Sequence, residues 1–135
     1  MPAMKQRTVD AWLFLAIAIS PRDADAVGLS DLVAAADGIN HAILTEDELR
    51  SGINRLLHAG LVSEHESAFD LTDDGEATFA KVRSGSVRTE FERLERELDR
   101  LDDPGRPTWT PSAEAIRDAI DDYVAMAEEW LRRNP

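Results

Sequence analysis

Any catalytic or metal-binding chemistry in this chain has to start from its histidines and carboxylates. His41, His58 and His65 are the three histidines, and Glu64 and Glu66 flank the last of them, so imidazole and carboxylate ligands for a divalent ion are present. Zinc sites built on such side chains use short, recurrent ligand spacings. The separations here match none of them, and Glu64-His65-Glu66 reads as a polar turn. Cysteine is absent, which excludes disulfides, thiolate ligands and thiol nucleophiles. With 27 Asp and Glu against 15 Lys and Arg, pairs of carboxylates at acid/base spacing arise from composition alone and single out no site. No glycine-rich phosphate loop, G-x-S-x-G elbow or H-E-x-x-H helix occurs. The residues therefore imply no enzyme, no metal and no cofactor. Trp12, Trp109 and Trp130 offer aromatic walls for a ligand, but aromatic residues at helical spacing are first of all core. We expect core for Trp12, and for Trp109 a place across the C-terminal helices or against a partner subunit.

The elements that would carry these residues follow from periodicity. Thr8 is placed to cap a helix running through Ser20, whose residues Trp12, Leu13, Phe14, Leu15, Ile17 and Ile19 are apolar nearly all round, as a central buried helix requires. Ser30 is placed to cap a second helix, with Leu32, Val33 and Ala36 on one face and Asp37-Gly38 as its stop. Thr45-Glu46-Asp47-Glu48 has the form of a capping box. After it Leu49, Ile53, Leu56 and Leu57 recur with helical spacing until Gly60. Leu61-Val62 and Ala68 to Leu71 are strand-like pieces around a loop at Ser63 to Ser67, and Asp73 to Glu76 has cap spacing for a fourth helix. Val87, Phe91, Leu94, Leu98 and Leu101 then form an a/d seam of about two heptads. The Pro-Gly break at residues 103–107 follows, and Thr110-Pro111 predicts the start of a final helix over residues 111–132.

At 135 residues the chain has room for one domain with a small arm. Its net charge of −12 gives a field that repels phosphate backbones and anionic membranes. Lys5 and Arg7 ahead of the apolar run from Ala11 to Ile19 resemble a secretory leader. Asp10 at the front of that run and Pro21, Arg22 and Asp23 after it argue against one, and the run is too short to span a bilayer. A cytoplasmic protein without a membrane partner is expected.

Three helices, a hairpin and a fourth helix within the first 84 residues are the order of a winged helix-turn-helix domain. The words R-L-L-H-A-G-L-V at 55–62 and L-T-D-D-G at 71–75 resemble bacterial transcriptional regulators of the PadR and MarR kinds, over about residues 8–83. The resemblance implies a mainly α fold with a small β-hairpin and a winged helix-turn-helix core at 1–84, and the seam, break and final helix after it read as a C-terminal helical hairpin at 85–135, a dimerisation arm. The resemblance also implies a recognition helix at 45–59 presenting Asp47, Arg50, Ser51, Asn54, Arg55 and His58, with Glu64, His65 and Glu66 in the wing. Arg and Asn are the residue types that read guanine and adenine edges. Glu46 and Arg50 are also spaced as a surface ion pair.

One departure from that pattern is specific. From Leu56 to Ala80 the chain has six acids and no Lys or Arg, whereas a DNA-binding wing needs bases to hold phosphates. A regulatory or interaction protein that binds another protein is therefore expected ahead of a dimeric DNA-binding regulator in which Arg50, Asn54 and Arg55 read bases and Lys5 and Arg7 hold phosphates. A small-molecule sensor with a pocket at the dimer seam ranks third. The seam predicts a homodimer through Val87, Phe91, Leu94, Leu98 and Leu101, because a lone apolar stripe on a charged helix needs a cover; the alternative is that the last helix, residues 111–132, folds back across the Pro-Gly break and covers the stripe within one chain, and the two arrangements are compatible in a four-helix bundle.

Overall fold

The computed structural model describes residues 5–20, 26–40 and 44–134. Among them are six helices and one small antiparallel sheet, in the order α1 (Gln6–Ile19), β1 (Val27–Gly28), α2 (Leu29–Asn40), α3 (Glu46–His58), β2 (Val62–His65), β3 (Ala68–Leu71), α4 (Asp73–Val82), α5 (Val87–Glu97) and α6 (Ala113–Arg133). The sheet order is β1-β3-β2, with Val27 opposite Phe69 and Val62 opposite Leu71. The mainly α chain with a small hairpin is thus present. A third strand, β1, joins it between α1 and α2.

The buried run of α1 from Val9 to Ile17 is the centre of the molecule, and α2, α3 and α5 each pack along it. Trp12 is fully buried and donates its indole N–H to the Ala36 carbonyl of α2, the partner that a buried indole needs. Gly52 brings α3 close to α1, since a Cβ there would strike Leu13. Ile19, expected in the core, is 40% exposed at the end of α1.

Several helix starts differ from the sequence reading. Lys5 precedes α1 without a side-chain cap, and Thr8 lies within the first turn, donating to Glu95 of α5 at 2.8 Å. α2 begins directly after β1, so Ser30 falls inside it, and it runs past Gly38, whose φ is not in the left-handed region. Thr72 caps α4 and Ser112 caps α6, each accepting an N–H three residues on. The capping box at Thr45 and Glu48 is formed. His41 and Pro21 lie outside the described residues.

The two quoted words meet in space. Gly60 takes the left-handed turn after α3 at φ 75°. Leu61 then accepts the Thr72 N–H at 3.1 Å, and the Thr72 hydroxyl donates to the Gly60 carbonyl. Gly75 must be glycine because a Cβ would collide with the Leu61 carbonyl oxygen.

α5 and α6 do not form the expected helical hairpin. α5 packs along α1 and α4, while α6 packs along α2 and touches α3. One apolar cluster unites Leu94, Leu98, Trp109 and Ile116 with α1, α2, α3 and the sheet. The stripe on α5 is therefore covered within the chain by α1. Leu94 and Leu98 are buried, Phe91 and Leu101 are half-buried against the core, and only Val87 is exposed. No helix among the described residues is long and apolar enough to cross a membrane.

Candidate functional site

The surface with the most chemistry is α3 together with the segment that crosses it, residues 101–112, which runs without regular structure from α5 to α6. Asp47, Ser51 and His58 are exposed and Arg50 is half-buried. Asn54 and Arg55, expected on the outward face, are instead 3% and 7% exposed. The crossing segment lies over them, and the physical reason is the hydrogen bonding they supply to it.

Asn54 behaves as a piece of backbone. Its Oδ1 accepts the Thr108 and Trp109 N–H groups, each at 2.9 Å, and its Nδ2 donates to the Trp109 and Arg50 carbonyls, each at 2.9 Å. All four of its hydrogen-bonding positions are filled. An asparagine reads adenine with this same amide donor and acceptor, and here both are committed to the Trp109 peptide.

Arg55 is held between two carboxylates. Its Nε donates to both oxygens of buried Asp10 at 2.9 and 3.0 Å, Nη2 lies 2.8 Å from Asp10, and Nη1 reaches Asp103 at 3.2 Å. Burial pushes the Asp10 carboxyl up to about 6, the Arg55 charge and hydrogen bonds holding the rise in check. Burial by itself would lower the Arg55 pKa, but Asp10 and Asp103 outweigh it and hold the guanidinium charged. Arg50 points to the same segment: Nη2 donates to the Pro111 carbonyl at 3.4 Å, and Nη1 lies 3.8 Å from Asp47. The expected Glu46–Arg50 pair is replaced by Glu46 with Arg117 of α6 at 3.6 Å.

Trp109 completes the closure. It stands edge-on to Phe69 of β3, ring centroids 5.2 Å apart, and its indole N–H donates to the Ser67 hydroxyl at 3.2 Å. The tryptophan expected between the C-terminal helices thus packs on the hairpin. A bulky aromatic between Pro107 and Pro111 was the available signal that this extended segment must dock somewhere.

The wing is shorter than expected, because Ser63 to His65 belong to β2. Only Glu66 and Ser67 form the turn, both with positive φ, 51° and 58°. Half-buried Glu64 accepts the Ser67 N–H at 2.8 Å, while His65 and Glu66 are exposed. Asp73, Asp74 and Glu76 occupy the first turn of α4, where acids suit the helix dipole. Part of the acidic stretch is therefore explained by local structure. Among the described residues no three His, Asp or Glu side chains come together as ligands for a metal ion.

Two features lie away from this surface. A groove of about 950 Å³ is bounded by Ile19 and Ser20 at the end of α1, Ala35, Gly38 and Ile39 of α2, and Val87, Arg88, Phe91, Glu92 and Glu95 of α5, with Arg88 paired to Glu92 at 3.4 Å. A smaller recess of about 290 Å³ lies at Lys5, Arg7, Asp99 and Arg100. The chain matches no protein-family model, and comparison with curated proteins and with solved structures gives no significant match either.

Proposed function

We propose that this chain is a non-enzymatic regulatory or interaction module on a winged-helix scaffold, working in the cytoplasm through contacts with protein rather than by reading DNA. The scaffold reading is supported by the order helix, strand, helix, helix, hairpin and by the β1-β3-β2 sheet. The observation that carries the functional reading is the engagement of Asn54 and Arg55 by residues 101–112. Two of the three side chains expected to read bases, Asn54 and Arg55, are buried, and their donors and acceptors are in use. The wing carries no Lys or Arg to hold phosphates, and a net charge of −12 repels them.

The test is selection of duplexes from a random-sequence pool on the full chain at low salt, followed by salt titration of any enriched sequence. No enrichment over the starting pool is expected. An enriched duplex whose affinity falls steeply with salt, and whose sequence preference relaxes on Arg50→Ala, would overturn the reading in favour of a DNA-binding regulator.

A further inference from the structure

Residues 101–112 meet the body of the protein as a peptide ligand meets its receptor. None of residues 101–112 lies in a helix or strand, and Trp109 is the buried side chain among them. Pro104, Pro107 and Pro111 fix their own φ and push the residues before them toward extended backbone, so the segment has little chain entropy to lose on docking. The body holds it with side chains. Asn54 takes both the N–H and the carbonyl of Trp109 at 2.9 Å, the two groups that one residue of an extended chain shows to a neighbouring strand. Arg55 reaches the Asp103 carboxylate at 3.2 Å, and Arg50 the Pro111 carbonyl at 3.4 Å. The indole is edge-on to Phe69 and bonded to Ser67. What is read is a linear pattern: an acid, an indole six positions later, and a proline two beyond it.

The helices on either side have anchors of their own. α5 is held by Leu94 and Leu98, buried where it packs along α1. α6 is held on α2 by buried Ile116 and Ala119 and by the Tyr123 hydroxyl donating to Asp37. A segment fixed at both ends and seated by one side chain opens locally, without unfolding the elements it joins. Opening uncovers Arg50, Asn54 and Arg55 beside Phe69.

We propose that the cleft between α3 and the hairpin is a peptide-binding site that this chain occupies with its own residues 103–111, and that its partner is a protein segment of the same chemistry. That segment is extended and proline-rich, with a carboxylate for Arg55 and an indole for Phe69 and Ser67. The proposal rests on the protein-binding reading above and gives it a site. A tethered occupant competes at an effective concentration on the order of millimolar, so the site is autoinhibited, and a partner displaces the segment by adding contacts beyond the cleft.

A fluorescein-labelled peptide of residues 101–112, titrated by anisotropy, tests it. The full chain carrying Trp109→Ala, checked as folded by circular dichroism, is expected to bind the peptide with a Kd on the order of 100 µM or tighter, and the wild type about tenfold or more weakly than that, since its own segment competes. Methylating the Trp109 main-chain nitrogen of the peptide, which removes the N–H that Asn54 accepts, and separately Trp109→Ala in the peptide, should each weaken binding about tenfold or more. Should Trp109→Ala unfold the chain, amide hydrogen exchange of the wild type gives a second reading: the Thr108 and Trp109 amides exchange about tenfold or more faster than those of Ile53 and Leu56 in α3. A folded Trp109→Ala chain that ignores the peptide, equal binding to the wild type, or Thr108 and Trp109 amides protected as strongly as the α3 core would each overturn the proposal. Loss of the site with no duplex enriched leaves the protein-binding reading standing, whereas an enriched duplex beside a bound peptide overturns that reading and leaves the site.

Discussion

Asp10 and Arg55 show how a residue can look like surface chemistry in sequence and serve as buried structure. Asp10 precedes an apolar run and Arg55 lies on a helix with other polar groups, yet they meet as a bidentate pair in the core. Removing one partner of such a pair leaves the other charge buried and uncompensated. The Asp10 carboxyl holds its proton up to about pH 6 in the fold and near 3.8 when unperturbed, so the folded state binds the extra proton between those values. Its stabilising contribution is full below about pH 4 and is lost as pH rises through 6. Asp10→Asn has no such titration. The stability of the wild type relative to Asp10→Asn, measured by urea denaturation at intervals from pH 4 to 7, is therefore expected to fall across that range. A flat or rising difference would mean that Asp10 is ionised throughout.

At the scale of elements, the segment at 101–112 behaves as a strap, with fixings beyond the Arg55–Asp103 and Arg50–Pro111 contacts. Gln6 holds the Leu101 carbonyl, Asn54 holds the peptides at 108–109, and Trp109 is seated on Phe69 and Ser67. Asn54→Ala would leave the Thr108 and Trp109 N–H groups and the Trp109 carbonyl without their partner. A buried unsatisfied group costs about 1–3 kcal/mol, so a loss of about 3 kcal/mol in urea denaturation is expected, with a weakened near-UV signal from Trp109. A loss under about 0.5 kcal/mol with native near-UV dichroism would mean that water replaces the amide and the strap does not depend on it. The hairpin turn beneath Trp109 shows the same dependence on context. Glu66 and Ser67 both adopt a left-handed backbone that favours Asn or Gly, and the clips from Glu64 and Trp109 hold them there.

For the molecule as a whole, the unit of stability is larger than the stretch at 1–84. Leu94, Leu98, Trp109 and Ile116 complete the core formed by α1, α2, α3 and the sheet. A chain ending at Ser84 would expose that surface, and domains of such a size have little stability to spare. Residues 1–84 alone are therefore expected to lose cooperative urea unfolding, whereas the full chain unfolds in one transition by both far-UV dichroism and tryptophan fluorescence. A cooperative transition for the fragment would place a true domain boundary at Ser84. The α5 seam expected to carry a dimer is used within the chain for the same reason. The core uses Leu94 and Leu98, leaving Val87 and part of Phe91 to the groove.

The sequence by itself determined the elements whose causes are local: the capping box at Thr45, the buried run of α1, the Gly60 turn, the hairpin, and the amphipathic stripes on α5 and α6. Periodicity and caps depend on neighbours within a turn or two, so they can be read along the chain. Only the tertiary structure decided which surface each stripe meets, because an apolar face specifies burial and not a partner. α1 could cover Leu94 and Leu98 as well as a second subunit could. The fate of Asn54 and Arg55 was likewise set at long range, by Thr108 and Trp109 more than fifty positions away and by Asp10 forty-five positions before. Polar residues on a helix look the same in sequence whether they face water, a base edge or a peptide, and the strap that fills the face makes the difference here.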